Sequence, residues 1–296
     1  MKPLVHSPDG IAAARARLEA DRKPALATRF NRFVTDNVGD LMSGVLGSLG
    51  GSVLTASTDF TAPFPRPPRR IRPAQRVTIG VWSLDAWLGD LTALLGALNG
   101  TQKAFVFYPV EAAVPAGLIS RPDRAISWYI AESGREPNDE DGKLFADNLI
   151  ADDYLGIADK VRVDLELDYI VGITGSMVAG KDDDGYYLNH FSTCQDRTIL
   201  VSSYDLQEFS RETGVPVEAF LAYIIVGQFL VTFTPELSFH PDTGCLFDFD
   251  ASRASLKEKV KEPKIEPACL HSIQPEYRDA ALGLVEALRN LRRTAP

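Results

Sequence analysis

The chain has 296 residues, 45% of them hydrophobic and 24% charged, which supplies a sizeable core and excludes a mostly disordered, fibrous or multi-pass membrane protein. A net charge of −9 opposes nonspecific binding to nucleic acid or anionic membranes. Three cysteines cannot all pair within the chain and no cationic-then-apolar leader opens it, so the expected compartment is a reducing cytoplasm.

Residues 1–61 read as an N-terminal helical and Gly-rich segment. Within it, 8–36 is a polar helix, and Leu41 to Ser57 carries no charge. Leu41, Met42, Val45, Leu46, Leu49 and Val53 keep helical spacing there, but Gly44, Gly47, Gly50 and Gly51 each weaken a helix by about 1 kcal/mol. The stretch is too short and too rich in Gly and Ser to span a membrane. Residues 62–75 form a Pro/Arg-rich linker. Pro63, Pro65, Pro67, Pro68 and Pro73 favour an extended polyproline path, and the strip Arg66–Arg76 is locally basic. That strip is the sole part of the chain expected to touch nucleic acid; its plainer reading is a solvated linker.

From residue 76 to 296 the pattern is α/β or α+β, a mixed sheet flanked by helices. VTIGVW (77–82), KAFVFYPV (103–110), DYIVGIT (168–174) and TILVSSY (198–204) read as strands. Helices are expected over Leu84–Leu98, roughly 143–166, Asp205–Arg211, Val217–Val231 and about 276–293. A polar connector is expected to about residue 142. Val217–Val231 is mostly apolar and therefore buried, and Arg289, Arg292 and Arg293 suit the negative end of the last helix. Between residues 132 and 184 there are 15 acids against 5 bases, so the negative charge is concentrated there.

Two near-motifs fall away. Gly175-Ser-Met-Val-Ala-Gly180-Lys181 matches the G-x-x-x-x-G-K part of a phosphate loop. The Ser or Thr that would hold magnesium is replaced by Asp182, followed by Asp183 and Asp184, and a turn and strand follow in place of a helix. A hairpin tip is the better reading. His190 and Cys194 invite a thiol–imidazole nucleophile, but nothing nearby marks either as reactive.

The informative cluster lies further on. His240-Pro-Asp-Thr-Gly-Cys245 places two soft donors around a tight turn, and Cys269 and His271 follow after Pro267. His240, Cys245, Cys269 and His271 make a set of the kind tetrahedral zinc prefers, with no position left open, which would staple the fold. The competing reading is a capped histidine beside two buried free thiols. Phe247-Asp248-Phe249-Asp250 alternates as a half-buried strand with its acids outward; the alternative is that Asp248 and Asp250 join His240 in a metal-dependent hydrolase (peptidase or nuclease).

From about residue 142 onward the order of elements resembles the archaemetzincin group of zinc metallopeptidases. The resemblance runs through a strand ending in Gly172 and Thr174, a hairpin, Val-Ser-Ser at 201–203, and a helix before the metal motif. The group's signature is H-E-x-x-H-x-x-G-x-x-H-C-x4-C-x-M with a later C-x-x-C. On it, His240 and Cys245 fall on the first two cysteines of a structural zinc site and Cys269 falls near the start of the later pair. Ser272 stands in the place of the last cysteine, with His271 as a substitute one residue away, and Phe247 takes the methionine position. The three catalytic histidines would be Phe229, Phe233 and Phe239, and the general-base glutamate would be Leu230. A HExxH helix needs two imidazoles on one face and a carboxylate to activate water. The resemblance therefore implies a zincin-like scaffold without its peptidase site: a non-catalytic interaction module, stapled by structural zinc, that recognises a protein or peptide partner, with a bacterial defence or signalling assembly as the setting.

Overall fold

The computed structural model describes residues 74–85, 90–118, 122–136, 148–182, 185–241, 243–249 and 253–293. The expected helix 8–36, the Gly-rich stretch 41–57, the linker up to Pro73, and Asp183, Asp184 and Asp250 lie outside them.

Strand alternation builds a two-sided sheet. Strands β1 (Val77–Ser83), β2 (Phe105–Pro109), β4 (Tyr169–Thr174), β7 (Ser192–Gln195) and β8 (Thr198–Ser202) lie in the order β2-β1-β4-β8-β7. The first four are parallel to their neighbours, and β7 returns antiparallel to β8. Ile79, Val81, Val171, Ile173, Ile199 and Val201 enter one apolar cluster, while Trp82, Ile170 and Leu200 enter another. That is the period of two expected when both faces of a parallel sheet are covered. A second sheet, β3-β5-β6, comprises β3 (Asn148–Ile150), β5 (Met177–Asp182) and β6 (Gly185–His190), with β3 parallel and β6 antiparallel to β5. The architecture is mixed α/β, as the sequence suggests.

One face of the larger sheet carries α1 (Leu91–Gly100), α4 (Leu206–Thr213), α5 (Val217–Phe233) and α8 (Arg278–Arg293). Helix α5 buries every residue from Ala219 to Leu230. It has no polar face to present, so it lies inside. Helix α8 is two-faced: Ala281, Leu284, Val285 and Leu288 are buried while Arg292 and Arg293 close its last turn. Asp90 caps α1, its side chain accepting from the Ala93 N–H at 2.9 Å, and its own N–H donates to Glu218 in the first turn of α5. The other face carries α3 (Ala151–Asp164), whose Tyr154, Leu155, Ala158 and Val161 pack under Trp82 and Ile170.

Three expectations are corrected. Helix α1 begins at Leu91, and the Leu84 N–H continues the sheet by donating to Ile173. The connector expected to run to residue 142 contains α2 (Pro122–Ser133), where Ala125, Trp128 and Tyr129 bury one face at helical spacing. The region from 143 opens its described part on strand β3, whose three residues are all buried and so show no alternation to read. The Gly-x4-Gly-Lys segment is strand β5, turning back into β6 with no helix after Lys181. Lys181 pairs with Glu132 at 2.7 Å. No helix among the described residues is long and apolar enough to cross a membrane.

Glycine in β4 sets the fit between sheet and α3. A Cβ on Gly172 would run into the ring of the fully buried Tyr154. Gly172→Ala should lower the unfolding free energy by about 1–3 kcal/mol, read as a lower urea midpoint at unchanged slope. Adding Tyr154→Leu should make the double variant more stable than the two single losses add up to; strict additivity would refute the clash.

Candidate metal centre

The site begins where α5 stops. Beyond Phe233 the chain turns through the buried Leu237 and reaches His240, whose N–H donates to Phe247 O at 3.0 Å, while the Phe249 N–H donates back to His240 O at 2.8 Å. The intervening loop closes through Gly244 at φ +80°, a left-handed backbone that glycine adopts without penalty.

Its fastening is Asp248. One carboxylate oxygen accepts from the backbone N–H groups of Thr243 (3.0 Å), Gly244 (2.6 Å) and Cys245 (3.0 Å), and the other from the Thr243 hydroxyl at 3.0 Å. The Lys259 ammonium stands 3.8 Å away. This reverses the strand expected over Phe247–Asp250: Asp248 is 3% exposed and Phe249 is 56% exposed. The acid is drawn inward because loop N–H groups leave no other acceptor as well placed, and a carboxylate taken from water needs such donors. The same engagement removes Asp248 as a free ligand or base.

Cys245, fully buried, sits on this loop, and Cys269 lies in the first turns of the short helix α7 (Pro267–Ser272). His240 Nε2 is 3.2 Å from Cys269 Sγ across 29 residues of chain, and the Glu266 N–H donates to Cys245 Sγ at 3.4 Å. Donor atoms of His240, Cys245 and Cys269 all lie within 4.8 Å of one another. Around one tetrahedral zinc, with bonds of about 2.0–2.3 Å, donors stand about 3.4–3.8 Å apart, so small adjustments bring this group onto one ion. The imidazole is prepared for it: Nδ1 faces the Pro241 carbonyl at 3.0 Å and Asp248 at 3.3 Å, two acceptors. Assigned from that geometry, the proton sits on Nδ1 and Nε2 carries the lone pair. Burial pushes the Cys269 thiol up to about 11, with the neighbouring Cys245, Glu266 and Asp248 adding to the rise. A metal must displace that proton to gain the thiolate.

His271 does not join the group. Its Nδ1 is 2.6 Å from Pro267 O within α7, and Ser272 hydrogen-bonds Ala268 O at 3.4 Å. Of the four expected donors, the structure brings His240, Cys245 and Cys269 together, and His271 stands apart from them. The fourth fails because Cys269 and His271 are only two residues apart on a helix, a separation that points side chains to different faces. His190 ends strand β6 and the exposed Cys194 lies on β7; neither enters a metal-holding group among the described residues.

The helix preceding the site is filled with rings. Phe229 is fully buried, with ring centroids 5.1 Å from Phe105, 5.9 Å from Phe107, 5.4 Å from Tyr169 and 5.7 Å from Phe233. Leu230 is buried beside it, Phe233 stacks edge-on to Tyr277, and Phe239 stands at the surface, 36% exposed. Sequence reasoning missed the loop-fastening role of Asp248, although Thr243 and Gly244 just before it carry the turn chemistry that such a carboxylate caps.

No protein-family model matches the chain, and no curated protein matches it. Three solved structures are similar to it. The archaemetzincin of Archaeoglobus fulgidus, complexed with malonate, has a TM-score of 0.44 at 12% identity, covering 67% of this chain and 100% of that one. The archaemetzincin of Methanopyrus kandleri has 0.39 at 12%, covering 74% and 96%, and a zinc-dependent peptidase from Methanocorpusculum labreanum has 0.39 at 12%, covering 67% and 100%. Two of the three are named archaemetzincins and the third a zinc-dependent peptidase; at 12% identity no residue's role passes from them to this chain.

Asp248→Ala should destabilise the metal-free protein by about 1–3 kcal/mol, because the N–H of buried Cys245 loses its acceptor. Asp248→Asn, which keeps one acceptor oxygen, should lose less. Urea unfolding in the presence of a chelator checks both; equal midpoints for Asp248→Ala and the unmodified chain would show that the carboxylate does not hold the loop.

Proposed function

We propose that this protein is a zinc-stapled, metallopeptidase-like module that works by binding a protein or peptide partner within a multi-protein assembly and does not cleave it. The observation that carries the reading is the buried ring cluster around Phe229. At the places where the resemblance would require zinc-binding histidines and a water-activating carboxylate, α5 presents Phe229, Leu230 and Phe233, packed into the core with Phe105, Phe107 and Tyr169. A phenyl ring offers a metal no lone pair, and the centre of this helix offers water no way in.

Support for the staple comes from the group His240, Cys245 and Cys269, which joins the loop after α5 to α7. Two thiols and an imidazole are the donors zinc takes in structural sites, and a site of this kind contributes its binding free energy to folding. A hydrolase centred on Asp248 has less support, since that carboxylate is already occupied by four protein donors.

Elemental analysis of the purified protein should find one equivalent of zinc. Cys245→Ser should remove most of it and lower the melting temperature by several degrees, the size of shift that about 1–2 kcal/mol produces in a domain of this length. Zinc-loaded protein incubated with a quenched-fluorescence peptide library should show no turnover above the Cys245→Ser variant. Metal-dependent cleavage that the substitution abolishes would overturn the non-catalytic reading, and unchanged stability with no metal would overturn the staple.

A further inference from the structure

The outer side of strand β2 is finished by side chains. β2 lies at one end of the larger sheet, and residues on either side of Phe105–Pro109 show which of its groups face β1. Ala104 O accepts from the Val77 N–H at 2.7 Å, and the Val110 N–H donates to Val81 O at 2.8 Å. In a parallel ladder each residue turns its N–H and C=O to one side and the next residue turns them to the other. Phe105, Phe107 and Pro109 therefore point theirs away from the sheet. The Asn99 amide pairs with Phe107 as a neighbouring strand would: Oδ1 accepts from the Phe107 N–H at 2.9 Å, and Nδ2 donates to Phe107 O at 2.9 Å. Gln102 treats Phe105 in the same way, accepting from its N–H at 2.8 Å and donating to its carbonyl at 2.7 Å. The Gln102 amide also donates to Leu98 O at 3.0 Å, near the end of α1. Pro109 has no N–H to offer.

We infer that Asn99 and Gln102 close the β2 edge, and that what they exclude is the β2 strand of a second copy of this chain, added antiparallel to the first. The segment Ala-Phe-Val-Phe-Tyr (104–108) is uncharged and rich in strand formers, the kind of sequence that pairs with its own likeness when its edge is open. Identical edges meet about a twofold axis, and each would offer the other the outward groups of Phe105 and Phe107. The two amides supply the same donors and acceptors from within the chain, so their pairing bears none of the cost of bringing two molecules together. The guards are held in place by the fold. Asn99 sits in the last turn of α1 and Gln102 just past its C-cap, Thr101. Helix α8 closes down on that turn, where a Cβ on Gly283 would stand 2.8 Å from both Thr101 O and Gln102 Cβ. The device owes nothing to the metal centre.

Residue-resolved hydrogen exchange and sedimentation velocity on the full-length protein test the two halves of this inference. In the unmodified chain the Phe105 and Phe107 N–H groups should exchange as slowly as those of Val106 and Tyr108, which face β1. Asn99→Ala should speed exchange at Phe107 by about tenfold, with the smaller effect at Phe105, and Gln102→Ala should do the reverse. The double variant, folded by circular dichroism, should show a concentration-dependent dimer absent from the unmodified chain, and slow exchange at both residues should return as that dimer forms. Fast exchange in the unmodified chain, or slow exchange that survives both single substitutions, would overturn the closure. A folded double variant that sediments like the unmodified chain, or one that associates while Phe105 and Phe107 stay open, would overturn the second copy as the excluded partner. If the double variant does not fold, Asn99→Asp is read by the same two measurements against the same outcomes, since it keeps the acceptor for the Phe107 N–H and removes the donor to Phe107 O.

Discussion

The buried carboxylate of Asp248 is the constraint on which the rest of the site depends. Three backbone N–H groups, a hydroxyl and an ammonium surround it. The dependence is mutual: without those donors a carboxylate so far from water would be costly, and without the carboxylate the loop N–H groups would have no acceptor. One of the N–H groups belongs to Cys245, and the same carboxylate faces Nδ1 of His240. A single side chain thus sets the backbone under Cys245 and the ring orientation of His240, two of the three residues that could hold a metal. Only Cys269 has to be brought in from elsewhere, and α7 does that with Pro267 opening the helix just ahead of it.

The loop in turn rests on α5. The Tyr223 hydroxyl reaches Cys245 O at 3.4 Å, and a Cβ at Gly227 would stand 3.3 Å from Leu246 O, so the helix is flattened at that turn to admit the loop backbone. Helix α5 is a packing element on both sides: its rings fill the space above the sheet, and its Tyr223–Gly227 stretch supports the loop that carries His240 and Cys245. Introducing two histidines and a glutamate into such a helix would place polar groups where no water and few acceptors exist.

The strands of the larger sheet, and the helix apolar on all sides, could be read directly from the sequence because burial on both faces leaves a continuous apolar run long enough to recognise. Helix α2 and strand β3 could not. The first sets its Ala125-Trp128-Tyr129 face in a short helix that opens on Pro122, Asp123 and Arg124 and follows a Pro- and Gly-containing stretch, and the second is defined by pairing with Met177–Ala179, a non-local fact. At the site, residue types and spacing were enough to bring His240, Cys245 and Cys269 forward. Asp248 was misread because Phe-Asp-Phe-Asp has the period of a strand, while the hydrogen bonds that turn the acid inward come from a loop whose closure the period does not report. His271 stands apart from that group because proximity in sequence to Cys269 says little about direction when both residues lie on one helix.

A histidine in a zinc site brings a requirement that a cysteine does not. A thiolate ends at its sulfur, but an imidazole has a second nitrogen whose proton must be placed, and its ring direction must be fixed for the lone pair to point at the ion. Here both needs are met within a few residues, by the Pro241 carbonyl and by Asp248. The acceptor that orients the ring is the group that closes the loop, so the imidazole cannot be set right without the loop also being closed. Exchange of a thiolate for an imidazole also removes one negative charge from the coordination sphere, which lets a carboxylate stand 3.3 Å from a ligand ring without the site accumulating repulsion. Choice of side chain at 240 and choice of loop fastening are in this way a single electrostatic solution.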